Sequence, residues 1–391
     1  MRGWLATALV LLAFGCEDEE PRSTPLVPEA PATPPEPPAP RPRLAAPKMS
    51  AGPGAFDLVV AGDSVLWIIG QPGRSGGGIE IGTLNAFGEA IGPWRTAVPG
   101  RSGTGLAPTS VEIDAVAVQG RLGIGWVEQQ GLGLRTRAVL GDADGQTFGT
   151  PRTLSERRLD SGSGPRGSVV LVADGAAITV WHRRADGPCD SVGRGPCARF
   201  ERARLGEGSP LRGDGYALRK PCPLSLVGAT VAADIGYHAL CAVEDGAPRT
   251  TLFAIQFEPR YAHAEPLLAG CRPVGLTPFG DGVALMGDCG GEATPERRGW
   301  LAMEAARTLA SLGAPDPRCV GGRVHLRLGE QEVVLGAPRD GLEALLPAAM
   351  AGSADRAVWT GEAILVATQL GRESALRRYA CDRGVFRRTD P

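Results

Sequence analysis

Lysine is almost missing from this chain of 391 residues, since Lys48 and Lys220 are its only two copies. The other basic residues are arginines, and 41 basic residues stand against 43 acidic ones, which gives a formal net charge of −2. No stretch combines clustered basic residues with interleaved aromatic side chains, the pattern typical of nucleic-acid binding. Nucleic acid is therefore not an expected partner.

Motifs with a defined chemistry are also scarce. The chain has no H-E-x-x-H zinc motif and no lysine-containing phosphate loop. It has no C-x-x-C pair, and its four histidines are dispersed, so we expect no metal site and no cofactor. Catalytic residues stay unassigned, because linear sequence cannot identify a working carboxylate pair among 43 acidic residues.

Residues 1–15 have the layout of an export signal. Arg2 supplies a positive charge, an apolar run extends from Leu5 to Phe14, and the small residue Gly15 precedes Cys16. The run is about half of the roughly 20 residues that a transmembrane helix needs, so we expect export and cleavage, not a permanent membrane span.

The stretch Leu12-Ala13-Phe14-Gly15-Cys16 resembles the lipobox of bacterial lipoproteins. That resemblance implies cleavage before Cys16 and attachment of lipid to its thiol, with two or more acyl chains for stable anchoring. It also implies a location in the bacterial cell envelope, on the inner or the outer membrane, with the folded part in the periplasm or at the cell surface. An ordinary secretory signal with an incidental cysteine is the alternative.

Residues 16–50 are interpreted as a disordered linker. Four acidic residues follow Cys16, and prolines then make up eleven of the 27 residues from Pro21 to Pro47. Such a composition favours an extended spacer of polyproline type, which could hold the folded part about 80 Å from the membrane. A proline-rich ligand for a recognition domain is the alternative interpretation.

Eight cysteines remain in the folded part, an even number in a chain sent to an oxidising compartment, and this predicts disulfides. Sequence cannot fix their connectivity. Nearness along the chain suggests the pairs Cys189–Cys197, Cys222–Cys241, Cys271–Cys289 and, by remainder, Cys319–Cys381.

Residues 51–391 contain a repeated pattern of apolar strand, tight Gly or Asp turn and second apolar strand. The turns are about 55 to 60 residues apart early in the chain and about 30 to 50 later. The seven copies are centred near Asp63, Gly120, Gly175, Gly236, Gly282, Glu330 and Gly361.

Repeats of this length predict an all-β fold of the β-propeller type. Seven hairpins predict seven blades, and the short last interval leaves six as the alternative count. Two tandem β-sandwiches are the alternative architecture. The segment from Trp300 to Leu312 is the one stretch whose pattern predicts a helix.

The heptapeptide from Asp142 to Phe148 resembles a degenerate Asp box of sialidase-type propellers. That resemblance implies a stabilised turn between outer strands, and no catalytic role. A plain Asp-Gly hairpin turn is the alternative.

Three tryptophans, Trp67, Trp126 and Trp181, occupy similar points of three copies and are predicted to pack between blades. The charged residues that follow Trp181, namely His182, Arg183 and Arg184, are a possible binding face.

Two functions fit these observations. The first is a membrane-tethered binding or scaffold module for an envelope protein, peptide or glycan. The second is an envelope glycan hydrolase of sialidase-like propeller type. A binding module is preferred because it needs no catalytic constellation, although many functions share the propeller fold.

Replacing Cys16 by serine tests the anchor directly. We expect the native precursor to incorporate radiolabelled fatty acid and the Cys16→Ser precursor to incorporate none, because the thiol is the predicted attachment point. A native precursor that takes up no lipid would contradict the lipoprotein prediction.

Overall fold

The computed structural model describes the following residues: 56–70, 78–100, 108–158, 169–188, 196–206, 225–232, 236–244, 248–255, 262–269, 271–279, 282–289, 296–303, 308–313, 315–320, 323–328, 331–335, 355–370 and 373–389. The predicted signal peptide, Cys16 and the predicted linker lie outside these ranges.

Every regular element in the described ranges is a β-strand. These ranges contain no helix that could cross a membrane. The first three sheets contain the strands β1 Phe56–Ala61, β2 Ser64–Gly70, β3 Ile79–Leu84, β4 Arg95–Val98, β5 Thr109–Val118, β6 Arg121–Gln130, β7 Gly133–Asp142, β8 Arg152–Arg158, β9 Val169–Asp174, β10 Ala177–Pro188 and β11 Pro196–Leu205. The next two contain β12 Ser225–Ala232, β13 Gly236–Glu244, β14 Pro248–Ile255, β15 Ala262–Ala269, β16 Cys271–Phe279, β17 Gly282–Cys289, β18 Glu296–Met303 and β19 Thr308–Gly313. The last contains β20 Pro315–Val320, β21 Arg323–Leu328, β22 Gln331–Leu335, β23 Arg356–Trp359, β24 Ala363–Leu370, β25 Glu373–Asp382 and β26 Val385–Arg388.

Strands that follow each other in the chain pair antiparallel, so that sheets 1, 2, 4 and 5 are four-stranded meanders and sheet 3 has three described strands. Contacts between sheets concentrate on their first strands: β1 lies against β5, β5 against β9, β9 against β12, and β12 against β16. The first strands are therefore innermost. Sheet 6 lies against sheet 5 through β20 and against sheet 1 through β23. This closed order of meanders is a β-propeller, which confirms the predicted fold class.

Sheet 6 joins two of the seven predicted hairpins. Its strand order is β22-β21-β20-β26-β25-β24-β23, and its two halves meet where Arg318 pairs with Val385. The hairpins near Glu330 and Gly361 thus share one sheet, and the turn at Glu330 itself lies outside the described residues. Six sheets are seen in the described ranges, and the count of seven blades stays a prediction.

The helix predicted from Trp300 to Leu312 is wrong. This segment contains the end of β18 and most of β19, which pair antiparallel with each other and with β17. Leucine, alanine, methionine and glutamate give it a local preference for helix, but propensity is weak enough for tertiary pairing to override it.

The hairpin at Gly120 shows why the repeated turns form. Gln119 and Gly120 have φ angles of 45° and 77°, so both central residues of this two-residue turn are left-handed. This is the geometry of a type I′ turn, whose twist matches that of the flanking strands. Glycine at the second position removes most of the steric cost of this turn.

Apolar side chains fill the space between sheets 6 and 1, between sheets 1 and 2, and between sheets 2 and 3. Trp126 is fully buried between sheets 1 and 2, together with Leu66, Ile68 and Ile113. Trp67 is buried between sheets 1 and 6, beside Leu365. The two tryptophans face the preceding sheet in the ring, as predicted for inter-blade core residues.

Trp181 is offset from this pattern by one residue. It is buried and pairs with Val170, but its neighbour Val180 fills the core between sheets 2 and 3. Side chains alternate along a strand, so Trp181 lies on the opposite face of sheet 3. It is a core residue, as predicted, but it is not equivalent to Trp67 and Trp126.

Two glycines of β6 allow sheets 2 and 3 to approach closely. A Cβ atom on Gly123 would lie 2.8 Å from Ile178, and one on Gly125 would lie 2.5 Å from Leu171. Larger residues at these positions would force the sheets apart, so glycine here serves packing between sheets.

A disulfide joins Cys319 of β20 to Cys381 of β25, with a Cα–Cα distance of 5.8 Å. It confirms this predicted pair and links the two halves of sheet 6. Cys271 and Cys289 occupy opposite positions of β16 and β17, a register compatible with their pairing, which stays a prediction. Cys189 and Cys222 lie outside the described residues, so the pairings with Cys197 and Cys241 stay predictions.

A buried ion pair lies within sheet 2. Arg137 donates to Glu128 Oε1 at 2.9 Å, and the indole N–H of Trp126 donates to the same oxygen at 2.9 Å. The Arg137 guanidinium also lies 5.3 Å from the centre of the Trp126 ring, within the range of a cation–π interaction. The glutamate side chain is only 4% exposed, so these partners replace the water that would solvate an exposed carboxylate.

We expect Arg137→Leu to lower the free energy of unfolding by about 3 kcal/mol, because it leaves the buried Glu128 carboxylate without its cation. Arg135→Leu is the matched control on the same strand, where a solvent-exposed pair with Glu156 is worth less than about 1 kcal/mol. Urea unfolding of both variants measures the difference. Equal losses would show that the buried pair is no more important than the exposed one.

Candidate functional site

Three charged side chains lie on adjacent innermost strands: Asp57 on β1, Asp114 on β5 and Arg356 on β23. Each aspartate stands four positions before the end of its strand, at Ala61 or Val118, so the two occupy equivalent places in consecutive sheets. We call these three residues the inner-strand triad.

Each carboxylate of the triad accepts a backbone N–H from the next innermost strand. Ala115 of β5 donates to Asp57 Oδ2 at 2.7 Å, and Leu171 of β9 donates to Asp114 Oδ2. Asp57 Oδ1 accepts the N–H of Leu58 at 2.8 Å. The same kind of hydrogen bond therefore joins sheet 1 to sheet 2 and sheet 2 to sheet 3, at equivalent positions of their innermost strands.

Burial is the main cause that raises the pKa of Asp57 to about 7, and the charge of Asp114 raises it further. The Arg356 guanidinium, whose Nε lies 3.7 Å from Asp57 Oδ1, opposes this rise, as do the two N–H bonds. Asp57 is 5% exposed, whereas 42% of the Arg356 side chain is exposed.

Burial also raises the pKa of Asp114 to about 6, against the lowering effects of the Leu171 N–H and Arg356. Asp114 is half-buried. Two carboxylates that influence each other in this way titrate as a pair near neutral pH. They can accept hydrogen bonds when ionised and can donate one when protonated.

The sequence contained a signal for the triad that pattern analysis missed. Asp57 and Asp114 are the second residues of the copies beginning FDLVV and IDAVA, and each is followed by an apolar run. Charged residues are rarely buried without a partner, so an aspartate at one repeated core position is informative. The convergence of Arg356 had no local signal, since it lies about 300 residues further along the chain.

The predicted binding face near Trp181 is mostly buried. His182 is 3% exposed and Arg183 is 1% exposed, whereas Arg184 is exposed and forms an ion pair with Glu201. Burial lowers the pKa of His182 to about 4, so its ring is neutral at physiological pH. Of these three residues, Arg184 is the one placed to meet a ligand from solvent.

The Asp-box-like segment lies between β7 and β8, the outer strands of sheet 2. Its Asp142 carboxylate accepts the Thr147 hydroxyl, and the Gly145 N–H donates to the Asp142 carbonyl at 2.9 Å. Sheet 1 has a similar turn between β3 and β4, where the Asn85 side chain accepts the N–H groups of Phe87 and Glu89. In both turns the side chain of the first residue accepts hydrogen bonds that hold the turn together.

Within the described ranges, no three His, Cys, Asp or Glu residues lie close enough together to hold a metal ion. On the innermost strands whose side chains are described, the inner-strand triad brings together two carboxylates and one guanidinium group.

No protein-family model matches the chain, and no curated protein matches it in sequence. Among solved structures, it is similar to prolyl oligopeptidase B from Galerina marginata, with 10% identity, a TM-score of 0.43 and 85% of this chain covered. It is also similar to a Trypanosoma rangeli sialidase, with 11% identity, a TM-score of 0.37 and 82% covered. This chain spans 50% and 53% of those two chains.

The β-propeller domain of the trilobed protease from Pyrococcus furiosus is similar over 86% of this chain and 98% of that one. Its identity is 8% and its TM-score 0.39.

The raised pKa of Asp57 predicts a pH-dependent stability. An ordinary aspartate releases its proton near pH 3.8, so between about pH 4 and pH 7 the folded chain holds a proton that the unfolded chain has lost. The contribution of this group to stability is therefore present at low pH and is lost as pH rises through 7.

We expect Asp57→Asn to remove this dependence, so that the variant loses about 2 kcal/mol less stability than the native chain between pH 5 and pH 8. Urea unfolding at the two pH values measures it, with Asp63→Asn at the exposed turn of the same hairpin as control. If Asp57→Asn and Asp63→Asn behave alike, Asp57 is ionised throughout this range.

Proposed function

We propose that this chain is an exported lipoprotein whose β-propeller is a binding or scaffold module for an envelope protein, peptide or glycan. Lipid on Cys16 would tether it, and residues 16–50 would hold the propeller away from the membrane. The leader and its lipobox-like stretch support the tether. The inner-strand triad is the observation that supports the binding role.

The triad supports binding because its groups are already held in place. Backbone N–H groups from neighbouring sheets fix both carboxylates, so little conformational entropy is lost when a ligand arrives. Asp114 and Arg356 are both partly exposed, which gives a ligand access to one acceptor and one donor. A ligand with hydrogen-bond donors beside an acidic or carbonyl group matches this arrangement.

Glycan hydrolysis is the second candidate function, and one observation favours it. The pKa values of Asp57 and Asp114 are raised to about 7 and about 6, close to the range in which a carboxyl group serves as a general acid. Glycosidases commonly use two such carboxyl groups on either side of the scissile bond.

The test compares the full-length native protein with the Asp57→Asn/Asp114→Asn double variant and with Asp63→Asn as control. Each is applied to an array of neutral, amino and acidic glycans and is used to recover components of an envelope extract. We expect the native protein and the control to retain the same component, and the double variant to bind it at least about 10-fold more weakly, since charge-assisted hydrogen bonds are lost.

Equal retention by all three proteins would contradict binding at the triad. Fluorogenic glycosides added to the same proteins separate the two functions. Hydrolysis by the native protein that the double variant lacks would favour the hydrolase, whereas binding without turnover favours the binding module. Circular dichroism of each variant verifies that it is folded.

A further inference from the structure

A cavity of about 310 Å³ lies at the outer part of sheet 2, where that sheet meets the end of β11. Its volume is at the lower end of the range for small-molecule sites, which suits a compact ligand. Its apolar wall comprises Ala138, Val139, Leu140, Phe148 and Leu205. Its polar rim comprises Arg121, Asp142, Thr147, Thr150 and Arg152.

The rim carries two guanidinium groups against one carboxylate. Arg121 and Arg152 are exposed, and Arg121 forms no ion pair with any residue in the part of the chain that is described. The single carboxylate belongs to Asp142, which stands opposite Arg121 in the strand register and accepts the Thr147 hydroxyl. Guanidinium groups match planar oxyanions in geometry, so two of them on one rim favour an anionic ligand.

The wall of the cavity is held rigidly by the turn from Asp142 to Phe148. The Asp142 N–H donates to the Thr147 carbonyl at 3.1 Å, and the Ala143 N–H donates to the Gly120 carbonyl at 3.0 Å. The Phe148 ring lies directly over Gly141, where a Cβ atom would come within 2.5 Å of it. The aromatic ring is therefore fixed in position before any ligand binds.

We propose that this cavity binds a compact sugar that carries an oxyanion, such as a carboxylate or a sulfate group. Arg121 and Arg152 bind the oxyanion, and the Phe148 ring contacts the apolar face of the sugar ring. The Thr147 hydroxyl, which donates to Asp142, accepts a hydrogen bond from a sugar hydroxyl, and the Thr150 hydroxyl accepts or donates one. This site is separate from the inner-strand triad and does not depend on the function proposed there.

Binding of three probes to the full-length protein tests the proposal: glucuronate, glucose 6-sulfate and uncharged glucose. We expect at least one anionic sugar to bind at least about 10-fold more tightly than glucose, and this preference to weaken at high salt. Which anionic sugar binds more tightly identifies the oxyanion. The proposal would be overturned if neither anionic sugar bound at about 50 mM, a concentration far above the Kd of a specific site. Equal binding of glucose would overturn it as well.

Two variants assign the binding to this cavity. We expect Arg121→Gln/Arg152→Gln to weaken binding of the anionic sugar at least about 10-fold, and Arg158→Gln, an exposed arginine of β8 outside the cavity, to leave it unchanged. Gly141→Ala is a second variant that keeps every charge but displaces the Phe148 ring, and it should weaken all bound sugars. Unchanged binding in the double variant would overturn the proposal, whatever happens at the triad.

Discussion

Apolar surface on both faces of a sheet, seen in the described side chains of sheets 1 and 2, is the constraint on which this structure depends. A four-stranded meander cannot bury two such faces alone, so each sheet must pack between a preceding and a following one. Leu66 and Ile68 of sheet 1 pack against Ile113 and Trp126 of sheet 2, while Trp67 on the other face packs against sheet 6. A ring of sheets satisfies this requirement for every member, because the last sheet then covers the first.

The same packing explains the unusual charges at the centre of the ring. Where innermost strands converge, Asp57 is buried and Asp114 is half-buried, and a buried carboxylate without hydrogen bonds is strongly unfavourable. The N–H groups of Ala115 and Leu171 satisfy them across the gap between sheets. The two aspartates therefore link neighbouring sheets by hydrogen bonds and also have raised pKa values. The same side chains thus contribute to stability and could take part in proton transfer or binding.

Closure of the ring uses a different kind of link. The two halves of sheet 6 meet at one pair of residues, Arg318 and Val385, with the Cys319–Cys381 disulfide beside it. A covalent bond across a loop of 62 residues stabilises the folded chain mainly by restricting the unfolded one. The disulfide lies where the two halves of sheet 6 share a single residue pair. Export to an oxidising compartment, as predicted, would allow this bond to form.

The amino-acid sequence by itself determined the hairpins, because turn residues such as Gly120 and alternating apolar strands act over a few neighbouring positions. It also predicted that Trp67 and Trp126 are core residues, and it suggested Cys319–Cys381 as one disulfide pair without fixing the connectivity. In the segment from Trp300 to Leu312, the local pattern predicted a helix, but pairing with neighbouring strands makes this segment part of a sheet.

Only the tertiary structure decided which charges meet. Arg356 approaches Asp57 because the last sheet packs on the first, and no pattern within either strand encodes that distance. The burial of His182 and Arg183, and the one-residue offset of Trp181, likewise follow from which face of sheet 3 its neighbours cover. Strand formation is a local property of the chain, whereas the burial and pKa of a charged side chain depend on residues brought near it by the fold.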